Sequence, residues 1–182
     1  MNKPIKEIAE AILQQTGIFQ KYFLDARRDE EGRVLIPIES NGNEKAFAGI
    51  SDVSGPFFYL RWRNDFIIYE ELREDRRFSS CENFAEQLSP LRLVGVFPAN
   101  SVDAYQLEGM IRKAIMSFKI NNESGIKSGK AVLRQSLVDS ISVIKEELKN
   151  AKKFDKDLGF ILFDFDLSIE IVSTCDSKSL IL

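Results

Sequence analysis

The sequence predicts an α+β domain in which a twisted, mostly antiparallel sheet packs against two or three helices. Three stretches carry that prediction. Across 160–172, Ile161, Phe163, Phe165, Leu167, Ile169 and Ile171 alternate with Leu162, Asp164, Asp166, Ser168, Glu170 and Val172, the period-2 pattern of a strand with one packed face. Across 104–118, Ala104, Leu107, Ile111, Ala114, Ile115 and Phe118 fall on one helical face, with Arg112, Lys113 and Lys119 outside it. Two runs rich in aromatic and branched residues, 57–63 and 66–72, meet at Asn64-Asp65 and read as a β-hairpin. The chain of 182 residues, 44 % of them hydrophobic, suits a single domain spanning 1–182. A domain of this size buries roughly 70 % of its unfolded surface.

Taken in order, the first element is a helix. Pro4 suits its first position, and Ile5, Ile8, Ala9, Ile12 and Leu13 make one apolar stripe. Gly17 is a natural stop, while Ile18, Phe19, Tyr22 and Phe23 leave open a second turn. Residues 33–40 read as a short strand that Pro37 assigns to an edge, followed by a turn at Asn41-Gly42-Asn43 and a strand near 47–53. In the hairpin, Phe58, Leu60 and Trp62 form the apolar side and Tyr59, Arg61 and Arg63 the mixed one. These three apolar residues are the expected structural and self-association face. The stretch 74–90 is polar and reads as a loop with a short helix around Phe84 and Leu88. An apolar strand at 91–97 ends at Pro98, and Asn100 is placed to cap the next helix. Glycine, serine and asparagine at 121–130 predict a mobile loop. At 131–149, Leu133, Leu137, Ile141, Ile144 and Leu148 keep helical spacing while 138–144 has strand composition; a strand followed by a short helix is expected. A short tail, 174–182, follows the last strand.

Composition narrows the function. A net charge of −3, from 25 basic and 28 acidic residues, does not announce nucleic acid or a membrane surface as partner. Arg61, Arg63, Arg73, Arg76 and Arg77 are matched by Asp65, Glu70, Glu71, Glu74 and Asp75, as in a mixed, solvated face. The only cysteines, Cys81 and Cys175, have no disulfide or zinc spacing. No histidine is present, which removes serine–histidine and cysteine–histidine catalysis and histidine-ligated metals. The first residues lack the apolar run of a signal peptide.

The segment Phe160-Ile161-Leu162-Phe163-Asp164-Phe165-Asp166 resembles the opening motif of haloacid-dehalogenase-type phosphatases, whose first aspartate is a nucleophile and second a general acid/base. That chemistry needs a following helix and further motifs, yet only 16 residues follow Asp166, and the alternation runs straight on through both aspartates. Asp164, Asp166 and Glu170 share one strand face, but neighbours two apart on a strand are separated by roughly 6.5–7 Å, too far for tight cation coordination by themselves. They are therefore expected as a solvated or interface strand face. Ser124-Gly125-Ile126-Lys127-Ser128-Gly129-Lys130 lacks the spacing of a phosphate loop. Cys81 has no histidine to activate it, and without surplus positive charge Phe57, Phe58, Tyr59 and Trp62 are core rather than base-stacking residues. No cofactor and no enzymatic activity are expected.

The order of elements (helix, strands, aromatic hairpin, the strand Leu91-Arg92-Leu93-Val94-Gly95-Val96-Phe97, helix, loop, and a last strand around Phe163-Asp164-Phe165-Asp166-Leu167) resembles that of tail-terminator, or tail-completion, proteins of long-tailed phages and prophages. The likeness covers most of the chain and is one of arrangement, not of motif; the segment 73–90 has no counterpart in it. It implies a small α+β virion protein, assembled in the bacterial cytoplasm, that forms a commonly hexameric ring at the head–tail junction. Its partners would be copies of itself and neighbouring tail-tube or connector proteins, with neither sequence-specific nucleic acid nor membrane. On that reading Asp164, Asp166 and Glu170 face the channel or rim. The alternative is a non-enzymatic bacterial adaptor or immunity-type binding module.

Overall fold

The computed structural model describes residues 3–30, 33–38, 46–63, 82–123, 126–138 and 157–174. Helix α1 (Lys3–Thr16) buries Ile5, Ile8, Ala9 and Ile12 completely, as their spacing requires. It stops at Gly17, whose φ of 60° is left-handed and whose N–H donates to the Leu13 carbonyl at 3.2 Å. Glycine takes that capping conformation without a Cβ penalty. The chain then extends into β1 (Lys21–Phe23), so Tyr22 and Phe23 are strand residues and not a second helical turn.

The described strands form two sheets. The larger has the order β1-β5-β6-β9-β8-β7, with β5 at Phe57–Trp62, β6 at Glu82–Pro98, β7 at Lys119–Glu123, β8 at Ile126–Val138 and β9 at Leu158–Thr174. Every pairing in it is antiparallel except β1 with β5. Its spine is the β6–β9 ladder, which runs from Glu82 opposite Thr174 to Pro98 opposite Leu158. The smaller sheet is β2 (Arg27–Arg28), β3 (Val34–Ile38) and β4 (Ala46–Gly49). Helix α2 (Ala104–Ser117) crosses one face of the large sheet beside α1. The result is the α+β fold expected, with a strongly curled, mostly antiparallel sheet and, among the described residues, two helices.

Each face of the large sheet has its own apolar core. On the helix side, Ile5, Ile8, Ile12, Leu107, Ile111 and Ile115 pack on Phe58, Leu60, Leu91, Leu93 and the odd-numbered row Ile161, Phe163, Phe165, Leu167 and Ile169. On the opposite side, Val34, Ile36 and Ile50 cover Phe57, Tyr59, Val94, Val96, Phe160 and Leu162. One end of the sheet is therefore buried on both faces. Gly95 makes room on the helix side: a Cβ there would lie 2.7 Å from the Phe19 ring and 2.8 Å from Ile161.

Several expectations are corrected. Strand β5 does not pair along its length in a hairpin; Phe57–Tyr59 are held between β1 and β6, and residues 64–81 lie outside the described residues. Phe58 and Leu60 are fully buried and Trp62 half-buried, but Phe57 and Tyr59 on the other side are just as buried. The loop expected before residue 90 is, from Glu82 onward, the first half of a 17-residue strand, because β9 offers it a partner throughout. Positions 121–130, expected as a mobile loop, lie largely in the antiparallel pair β7 and β8. The first part of 131–149 is strand to Val138; the helix expected after it, Cys81 and the tail beyond Thr174 lie outside the described residues. Pro37 sits in the middle strand of the small sheet, yet β2 reaches only Val34 and Leu35, so its missing N–H costs no ladder bond on that side. Asp103, not Asn100, caps α2: its Oδ1 accepts from the N–H of Tyr105 at 2.9 Å and of Gln106 at 3.2 Å. The Asn100 amide instead donates to Asp157.

Candidate functional site

The odd–even alternation of β9 that packs five apolar side chains under the helices sends Asp164 and Asp166 to the second face, next to the apolar patch ending at Leu162. There they are not a wet acidic surface. Asp164 is 5 % exposed and Asp166 3 %, and arginines from three neighbouring segments neutralise them.

Asp164 lies opposite Arg92 of β6. The Arg92 guanidinium grips it with two parallel bonds, Nε to Oδ1 at 2.7 Å and Nη2 to Oδ2 at 2.8 Å. This fork geometry is the strong form of the arginine–carboxylate pair. Asp166 lies opposite Pro90. Arg63, one residue beyond β5, donates its backbone N–H to the Pro90 carbonyl at 3.2 Å, and its side chain spans β6 to place Nη2 2.7 Å from Asp166 Oδ1. Its Nη1 stands 3.9 Å from Asp164 Oδ2. From the other side, Arg134 of β8 donates Nε to Asp166 Oδ2 at 2.6 Å. Arg134 is the extra residue of a β-bulge, since Leu133 pairs with Phe165 and Gln135 with Asp164. A bulge re-aims a side chain that a regular ladder would not.

The outcome is a chain of alternating charge, Arg134–Asp166–Arg63–Asp164–Arg92, laid across the sheet. Arg63 is 8 % exposed, whereas the Arg134 side chain is 55 % exposed. Arg61 is also buried, with Nη1 donating to the Trp62 carbonyl at 2.8 Å. The expected solvated arginine face is thus corrected at Arg61 and Arg63. Glu170 stands apart from the chain, half-buried, its Oε2 accepting from the Ser128 hydroxyl at 2.9 Å.

Chemically, a nucleophile or a cation ligand needs an oxygen lone pair turned towards its target. All four carboxylate oxygens of Asp164 and Asp166 already face a guanidinium. Among the described residues, no group of three or more cysteines and carboxylates gathers at metal-binding distance. The charge chain is thereby suited to holding four strands in one register. The partners missed in the sequence are Arg63, Arg92 and Arg134. The available signal was the choice of arginine at all of them, the residue suited to buried bidentate pairing.

A second polar cluster ties α2 to β8. Glu108 Oε1 accepts from the Ser136 hydroxyl at 2.7 Å and from Arg112 Nη2 at 2.5 Å. The Ser136 bond first, and Arg112 second, hold the Glu108 carboxyl below the usual carboxylate range. No protein-family model matches the chain, and no curated protein matches it.

Proposed function

We propose that this protein is a structural assembly component, and in its specific form a ring-building subunit at the head–tail junction of a long-tailed phage or prophage. The observation that carries the reading is architectural. A mostly antiparallel sheet with both described helices on one face is the coarse arrangement that the resemblance to tail-terminator proteins implies, although the aromatic hairpin and the loop of the expected order are replaced by the β5–β6 and β7–β8 pairs. The pairing of every Asp164 and Asp166 oxygen with a guanidinium adds support, because the strand with the most conspicuous acidic motif uses it internally. In this reading the ring terminates the tail and joins neighbouring tube or connector proteins, and its inner surface is not supplied by Asp164 or Asp166.

Native mass spectrometry over a range of concentrations tests the proposal, with negative-stain electron microscopy of the same samples. A closed multiple of the subunit mass, six-fold in the commonest case, and annular particles are the expected results. A monomer at every concentration would overturn the ring and leave the adaptor reading in its place.

A further inference from the structure

A pocket of about 290 Å³ opens at the end of the sheet where β6 finishes and β9 begins. Ile50, Val53, Phe57, Val96, Phe97 and Leu158 supply most of its apolar wall. That volume lies at the lower end of the ~300–1,000 Å³ usual for ligand pockets. Its wall is mostly apolar, which suits aliphatic side chains. Leu158 is 38 % exposed at its mouth.

We infer that this pocket receives Leu180, Ile181 and Leu182 of a second copy of the chain, giving the head-to-tail contact from which a ring is built. The inference rests on the ring reading above and names its contact.

Two features identify the occupant. The first is reach. Strand β9 carries the chain 17 residues away from the pocket, from Leu158 to Thr174, a path of about 53 Å at ~3.3 Å per residue. Bent into a half-circle it would still hold its ends about 34 Å apart. Leu182 is eight residues past Thr174, within about 28 Å of it at full extension. The apolar triplet therefore cannot fill the pocket of its own subunit but can enter that of a neighbour. Such a contact joins two different surfaces, and these assemblies close into rings when the rotation permits.

The second is composition. Leu180-Ile181-Leu182 is wholly aliphatic, and Lys178 precedes it by two residues. Asp52 and Asp157 each precede a lining residue, Val53 and Leu158, in the sequence.

The test compares the parent with Leu180→Asp and Leu158→Asp by native mass spectrometry. In parallel, a fluorescent peptide of residues 175–182 is titrated against each chain by anisotropy. Val53→Asp serves as a second pocket variant, and melting curves confirm that each variant folds. Expected are rings for the parent, a loss of at least about tenfold in association for every variant, and peptide binding to Leu180→Asp but to neither pocket variant. Rings that persist in all folded variants would overturn the inference while leaving the ring intact. A parent that stays monomeric overturns the ring reading itself. The peptide then decides alone: binding lost on Leu158→Asp keeps the pocket as the receptor for this segment, and absence of binding to any chain overturns it.

Discussion

Replacing Asp166 with asparagine keeps the shape of the side chain and removes its charge, which isolates the electrostatic part of the arginine–aspartate chain. The substitution leaves Arg63, 8 % exposed, facing a neutral amide where it now donates at 2.7 Å. Breaking a buried pair from one side typically costs ~3–5 kcal/mol when the remaining charge is stranded away from water; Asp164, 3.9 Å from Arg63 Nη1, stays as its second partner and puts the loss towards the lower end. Domains have about 5–15 kcal/mol in total, so the loss is a large fraction. For a chain of this size it corresponds to a fall in Tm of about 6–20 °C. Arg134→Ala removes the other partner of the same carboxylate. Its side chain is 55 % exposed, and exposed pairs contribute only ~0–1 kcal/mol. Urea unfolding followed by circular dichroism measures both, and a double variant, Arg63→Met with Asp166→Asn, should recover part of the single-variant loss. If Asp166→Asn lowers stability by no more than Arg134→Ala does, Arg63 is not held by this carboxylate and the proposed chain is wrong.

Phe58→Ala should cost about 3–5 kcal/mol in the same assay, because Phe58 is fully buried against Phe19 and Tyr22; Trp62→Ala, at a half-buried position, should cost less. Gly95→Ala pushes a methyl group into the Phe19 ring and Ile161 and should lower stability by ~1–3 kcal/mol, seen as an earlier urea midpoint; a neutral result would mean that Phe19 moves aside freely. The Glu108 carboxyl is held below its ordinary value of 4.5, chiefly by Ser136. A depressed folded-state value contributes stability that is present above the unfolded value and lost as pH falls through the folded one. Unfolding midpoints should therefore drop on the acid side of pH 4.5, and Glu108→Gln should flatten that part of the profile.

The helices and β9 were legible because their burial follows a period. Ile5, Ile8 and Ile12 recur at helical spacing, and Phe163, Phe165 and Leu167 at every second residue, so local pattern and tertiary position agree. Strand β6 before residue 91 was not legible, since Gln87, Ser89 and Pro90 have loop chemistry; its conformation is imposed by pairing with β9. The charge chain was illegible for a related reason. Arg63 and Asp166 are 103 residues apart, and Arg92 and Asp164 72, so no spacing rule connects them. One clue was local: Phe160 and Leu162 lie on the same side of β9 as the two aspartates. A strand whose supposed wet face begins with phenylalanine and leucine is covered there, and the aspartates that follow share that cover.

The two faces of β9 fix its position by opposite means. On the helix side, apolar packing rewards any residue of suitable volume and so tolerates variation. On the second side, a displacement by one residue would put Asp164 and Asp166 beneath the helices and turn Phe163 and Phe165 towards the guanidinium groups. Buried ion pairs add little net stability compared with well-packed apolar residues, but a misplaced buried charge is severely unfavourable. The Arg134–Asp166–Arg63–Asp164–Arg92 chain therefore acts mainly against wrong registers, and the bulge at Arg134 is the adjustment in β8 that completes it. This has a consequence for assembly. Charges consumed in holding four strands together are not available at a subunit contact. In the ring reading, recognition between copies then falls to the other end of the same sheet, where the apolar pocket beside Leu158 opens and, among the described residues, no such network closes it.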